Sequence, residues 1–167
     1  MILTLTRPLV TFDVETHDTV APELARIVEF GFNIDYPLQW EVVLDEQTCA
    51  SCRALHGTWA TLLLDHNPSC ERGELLRCPA HVVQPPPKRW GGFIKPDLLI
   101  SPAATAVHGI TNEMVADAYR FRDIASGIAR HFVDCDFCGY NVRFDIRCTA
   151  AEMQRAGYTW SQGNARI

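Results

Sequence analysis

Two carboxylates lie close together in the first part of the sequence, in a pattern that can bind metal ions. In the segment VTFDVET at 10–16, apolar residues alternate with polar ones, which indicates a strand. Side chains two residues apart on a strand point to the same face, so Asp13 and Glu15 emerge together. They repel each other unless a cation lies between them, and Mg²⁺ or Mn²⁺ would bring phosphate chemistry. The alternative is a surface strand with solvated acids.

A third carboxylate lies in the segment GYNVRFD at 139–145, at the start of a predicted helix that ends near Gly157. Asn141 and Asp145 are four residues apart and would share one helix face. Asp145 is therefore expected to reach the Asp13 and Glu15 pair and to supply a third metal ligand. The alternative is an ordinary acid near a helix N-terminus, where the helix dipole favours negative charge.

Three motifs together resemble the DnaQ-like (DEDD) 3′–5′ exonucleases: FDVET at 12–16, VHGIT at 107–111 and YNVRFD at 140–145. The resemblance implies an α/β fold, a ribonuclease H-like mixed sheet with flanking helices. It also implies that Asp13, Glu15 and Asp145 hold two divalent ions, Mg²⁺ or Mn²⁺, with Asp13 bridging both. Such an ion pair would clamp the attacking and leaving oxygens of a phosphodiester at the 3′ end of DNA or RNA.

The same resemblance makes Thr16, His108 and Asn141 the expected substrate-binding residues. For His108, a capping role or a role in the core is the alternative. The partner implied is a single-stranded 3′ end, and no run of apolar residues is long enough to span a membrane. Without a secretory signal, the expected location is cytoplasmic.

The chain lacks a match to the family's fourth acid and to its water-activating His or Tyr, and 149–167 contain no His. We therefore expect the fold to be C-terminally incomplete and the isolated chain to hydrolyse 3′ ends poorly. A second polypeptide or a longer gene would complete the site. Two alternatives are a catalytically silent nucleic-acid-binding relative and a zinc-stabilised interaction module. The net charge of −5 argues against strong non-specific nucleic-acid binding.

Four of the seven cysteines lie within 30 residues, in a stretch that the family pattern does not require. The predicted organisation is an exonuclease-like domain at 1–36 and 88–167, interrupted by a Cys-rich insertion at 37–87. Because the insertion has few apolar residues, we expect no core of its own and a zinc-ribbon-like metal site instead. Its expected zinc ligands are Cys49, Cys52, Cys70 and Cys78, with His66 or His81 able to replace one of them. Disulfides and free buried thiols are the alternatives.

The elements that would position these groups follow from hydrophobic periodicity. Strands are predicted at 9–15, 26–34 and 90–94, as an antiparallel meander, and another at 133–138. Helices are predicted near 122–132 and after Asn141, the second with an apolar stripe of Phe144, Cys148 and Ala151. We expect Phe12, Phe144 and Trp90 to lie in the core. Cys135 and Cys138 are expected on opposite faces of a strand, and so not to share a metal.

Overall fold

The computed structural model describes residues 5–60, 67–72 and 77–160. The chain forms two compact units, of which unit 1 comprises 1–8 and 35–87 and unit 2 comprises 9–34 and 88–167. In chain order the elements are β1 (Leu9–Thr16), β2 (Ile27–Asp35), β3 (Leu38–Val42), α1 (Ala50–Leu55), β4 (Trp59–Ala60), β5 (Ala80–Val83), β6 (Lys88–Phe93), α2 (Pro102–His108), α3 (Phe121–His131), β7 (Asp136–Cys138) and α4 (Val142–Arg155). In the described part of the chain, no helix is long and apolar enough to cross a membrane.

Unit 2 contains a four-stranded mixed sheet in the order β6-β2-β1-β7. β2 and β6 pair antiparallel, whereas β1 and β7 pair in parallel. The predicted mixed α/β fold is thus confirmed. The alternation in β1 buries Val10, Phe12 and Val14, and their aromatic neighbours Phe30, Phe132 and Phe137 continue this core.

The ends of two helices of unit 2 are marked by the residues that flank them. Ser101 precedes Pro102 and accepts a hydrogen bond from the Ala104 amide at 3.1 Å, which starts α2. Gly109 ends the same helix in the left-handed conformation, with φ at 78°. α4 begins after Asn141, which also has a positive φ of 54°.

Several expectations for unit 2 need correction. The strand predicted at 133–138 is shorter, because Asp134 adopts a left-handed turn and pairing starts only at Asp136. Trp90 was expected in the core but is 36% exposed, since β6 lies at the edge of the sheet. The predicted stripe on α4 is rotated: Cys148 is buried, but Phe144 is only half-buried and Asp145 lies on the buried side.

Unit 1 has a core of its own, contrary to the expectation. A three-stranded sheet in the order β4-β3-β5 packs with α1 around seven buried residues: Trp40, Val42, Cys52, Ala60, Cys78, Ala80 and Val82. The composition of the insertion concealed this core because two of its members are cysteines, counted as ligands rather than as apolar residues.

Candidate active site

β1 presents Asp13 and Glu15 on the face opposite to its buried residues, as its alternation predicts. Asp13 is exposed and Glu15 is half-buried. The intervening Val14 is buried, which fixes the register of the strand. The local fold therefore brings the first two predicted metal ligands to one side of the sheet.

Asp145 reaches the same part of β1 from α4. β7 pairs with β1 only from Leu9 to Thr11, so the edge of β1 beyond Thr11 has no strand partner in this pairing. There the Val14 amide donates a hydrogen bond to the Asp145 carboxylate, at 3.3 Å. Because Val14 stands between Asp13 and Glu15 in sequence, this bond brings the third predicted carboxylate next to the first two.

The pKa values of Asp145 and Glu15 are both raised at this site. Burial, and then the negative charge of Asp13, raise the pKa of Asp145 to about 6. Burial and Asp13 likewise raise the pKa of Glu15, and His108 counteracts part of that rise. Negative charge is thus concentrated at this end of β1, and a bound cation would relieve the repulsion.

A cavity of about 420 Å³ opens on the carboxylate face of the sheet. Asp13, Glu15 and Glu29 line it, and Gly31 and Gly91, which pair across β2 and β6, leave its floor without side chains. Glu29 also raises the pKa of Glu15. Sequence reasoning missed Glu29, although the alternation it recognised in β2 places this residue on the polar face.

The carboxylate oxygen atoms of Asp13, Glu15 and Asp145 do not all lie within 4.8 Å of one another. Among the described residues, the one group of three or more potential ligands with all donor atoms within 4.8 Å of one another is the set of four cysteines. The carboxylates still fit a hard cation by their chemistry, since ionised oxygen donors are what Mg²⁺ and Mn²⁺ bind.

The three predicted substrate-binding residues occupy different settings. His108 accepts a hydrogen bond from the Ile110 amide on Nδ1, at 3.0 Å, and its Nε2 lies 3.1 Å from the Thr16 carbonyl oxygen. With Nδ1 as acceptor, Nε2 carries the proton and donates to Thr16. The Thr16 hydroxyl donates to the Asp18 carbonyl, and Asn141 is exposed. His108 thus connects α2 to the end of β1.

Unit 1 brings together Cys49, Cys52, Cys70 and Cys78, all of them free thiols. Their sulfur atoms all lie within 4.8 Å of one another, so the group could hold a metal ion. His81 is exposed on β5 and lies 3.6 Å from Glu41, outside this group, and His66 lies outside the described residues. Cys135 lies just before β7 and is buried, whereas Cys138 ends β7 and is exposed.

Known exonucleases resemble parts of this chain. Residues 91–167 match the family model described as Exonuclease (RNase_T), a stretch that includes Asp145 but not β1. The chain is 43% identical over 55 residues to the uncharacterized exonuclease CP81 of Escherichia phage 186, covering 33% of this chain and 28% of that protein. It is 32% identical over 59 residues to the DNA polymerase III subunit epsilon of Buchnera aphidicola subsp. Schizaphis graminum. That match covers 35% of this chain and 25% of the epsilon subunit.

Solved structures show the same fold. Exonuclease I in its apo form superposes with a TM-score of 0.58 at 21% identity, covering 98% of this chain and 29% of that one. E. coli Exonuclease I in complex with a dT13 oligonucleotide gives a TM-score of 0.57 at 21% identity, and the match covers 96% of this chain and 27% of that one.

The chain thus shares its fold with the Exonuclease I structures. The sequence matches confirm the predicted relationship of this chain to the DnaQ-like exonucleases. The chain spans less than a third of the length of these relatives.

Proposed function

We propose that this protein is a metal-dependent 3′–5′ exonuclease that hydrolyses phosphodiester bonds at the 3′ ends of DNA or RNA. The observation that carries the proposal is the hydrogen bond from Val14 to Asp145, which joins a carboxylate of α4 to the Asp13 and Glu15 pair. The likeness to a phage exonuclease and to epsilon subunits supports the same activity.

The ions proposed for this site are a pair of Mg²⁺ or Mn²⁺, held by Asp13, Glu15 and Asp145. Bound there, they would neutralise charge on the attacking and leaving oxygens of the phosphodiester. The chain itself holds Asp145 in place by the hydrogen bond from the Val14 amide, and His108 interacts electrostatically with Glu15. Glu29 is a further carboxylate on the same cavity wall.

Thr16, His108 and Asn141 are proposed to position the nucleotide at the 3′ end. The His108 side chain is hydrogen-bonded to the Thr16 carbonyl oxygen. The two residues would therefore contact the substrate from fixed positions at the end of β1. We propose a single-stranded substrate, in keeping with a dT13 oligonucleotide being bound by Exonuclease I. A second polypeptide, or a further segment of a longer chain, would supply the fourth acid and the general base.

Hydrolysis of a 5′-labelled single-stranded oligonucleotide tests the proposal. With Mg²⁺ or Mn²⁺ present, we expect stepwise shortening from the 3′ end, abolished in Asp13→Asn. The matched control is Asp117→Asn, which replaces an exposed aspartate that does not line the cavity. Because the chain alone is expected to cut slowly, Mn²⁺ binding is measured in parallel.

Mn²⁺ binding that depends on Asp13, without hydrolysis even after the segment or polypeptide that supplies the fourth acid and general base is added, would identify a silent nucleic-acid-binding relative instead. Absence of both Mn²⁺ binding and oligonucleotide binding would favour an interaction module and overturn the exonuclease proposal.

A further inference from the structure

The four cysteines of unit 1 have the spacing of ligands around one ion. Cys49 Sγ and Cys70 Sγ are 3.8 Å apart. Four sulfurs at about 2.3 Å from a central zinc form a tetrahedron whose edges measure about 3.8 Å, which matches this separation. A disulfide bond would require a sulfur–sulfur distance of about 2.05 Å. We propose that Cys49, Cys52, Cys70 and Cys78 together bind one structural zinc ion.

The polypeptide around the sulfurs is arranged to support thiolates. The Cys49 amide donates to Cys78 Sγ at 3.4 Å, and the Cys78 amide lies 3.5 Å from Cys70 Sγ. The Asn67 amide group donates to Cys52 Sγ at 3.3 Å, and the Ser51 hydroxyl lies 3.3 Å from Cys49 Sγ. Each of the four sulfurs thus has a polar neighbour, the kind of outer contact that orients metal ligands.

The donor set selects the ion. Four sulfurs in tetrahedral array suit zinc or iron and do not suit Mg²⁺ or Mn²⁺, which prefer oxygen. Four protein ligands leave no open position for water or substrate, so the ion would be structural rather than catalytic. Zinc, unlike iron, has no redox chemistry, and the proposed hydrolysis requires none. This metal is independent of the ions proposed for the carboxylates.

The ion would complete the small core of unit 1. Cys52 and Cys78 are both buried among Trp40, Val42 and Val82. Cys49 directly precedes α1 and Cys78 precedes β5, so one ion would connect the helix to the sheet. Since a metal site of this kind does not exist in an unfolded chain, binding and folding of unit 1 would be coupled.

Metal analysis of the purified chain tests the inference. We expect one equivalent of zinc in the wild type and in Cys138→Ser, which changes an exposed cysteine outside the cluster. We expect that equivalent to be lost in Cys49→Ser and in Cys52→Ser. Cys49 is half-buried, so its variant separates loss of a ligand from collapse of the core around the buried Cys52.

Thiol titration provides a readout that does not depend on a mutant folding. In the wild type, the four cluster thiols should become reactive to a thiol reagent only after chelation. Stoichiometric iron in place of zinc would overturn the choice of ion. A chain without bound metal, with four reactive thiols or with a disulfide within the cluster, would overturn the site itself. None of these experiments measures hydrolytic activity. Absence of the zinc site would therefore not contradict the exonuclease proposal.

Discussion

Asp145 accepts a hydrogen bond from the main chain of Val14 at the edge of β1, at the point where the pairing with β7 has already ended. A carboxylate thus replaces a strand as the partner of a backbone amide. The consequence is chemical as well as structural, because the bond brings a buried acid close to Asp13 and Glu15.

Two substitutions at Asp145 separate its structural role from its proposed metal-binding role. In Asp145→Asn, the side-chain oxygen can still accept from Val14, so we expect a folded protein whose affinity for Mn²⁺ falls by about tenfold or more. In Asp145→Ala, the Val14 amide loses its acceptor, and we expect an additional loss of about 1–3 kcal/mol in the free energy of unfolding.

Calorimetric Mn²⁺ titration and urea unfolding measure the two effects at Asp145. Unchanged Mn²⁺ affinity in Asp145→Asn would remove this residue from the proposed metal site. Equal stability of the Asn and Ala variants would show that the Val14 bond does not stabilise the fold.

The first two carboxylates were predictable because alternation along β1 involves only neighbouring residues. The setting of Asp145 was not, because it depends on where the pairing of β1 with β7 ends, at Thr11 and Cys138. The i, i+4 relation predicted that Asn141 and Asp145 share one helix face, whereas Asn141 is exposed and Asp145 is buried. Tertiary pairing, rather than helical periodicity, decides which face of α4 is buried.

Unit 1 illustrates a different difficulty for prediction. The spacing of its cysteines indicated a metal site, but four sulfurs from segments that are distant in sequence come together only through the tertiary structure. The core was hidden for the same reason, since it assembles from three short strands and one short helix.

The aromatic cluster in unit 2 should dominate its stability. Phe30 is fully buried and contacts the rings of Phe12, Phe121 and Phe132. We expect Phe30→Ala to lower the free energy of unfolding by about 3–5 kcal/mol. The half-buried Phe144 provides a matched control, and Phe144→Ala should cost clearly less. Near-ultraviolet circular dichroism during thermal unfolding measures both, and comparable losses would contradict the central place of Phe30.

Glu152 should make stability depend on pH. Burial raises the pKa of this carboxyl above its ordinary value of 4.5, despite the nearby Arg155. The folded state therefore binds the proton more tightly than the unfolded state. Its contribution to stability is fully present below about pH 4.5 and is lost as pH rises through the raised pKa of the folded state.

Glu152→Gln removes this titration and keeps an oxygen that can accept from the Ile27 amide. We expect the variant to gain stability relative to wild type as pH rises from 4.5 towards neutrality, measured by urea unfolding at several pH values. Glu113 is expected to have the opposite effect on the pH dependence of stability, because its hydrogen bond with Thr111 lowers its pKa. For Glu113→Gln, the variant should gain relative to wild type as pH falls. A stability difference for Glu152→Gln that is independent of pH would contradict the raised pKa.

His108 should act on the fold as well as on the substrate, because both ring nitrogens contact the backbone. In His108→Ala, the Ile110 amide and the Thr16 carbonyl lose their partner, and we expect the free energy of unfolding to fall by about 1–3 kcal/mol. His81→Ala is the matched control: that side chain is exposed and its ion pair with Glu41 should contribute little. Urea unfolding and oligonucleotide binding are measured on both variants. Weaker oligonucleotide binding by His108→Ala at undiminished stability would contradict the role of His108 in the fold and leave only its contact with the substrate.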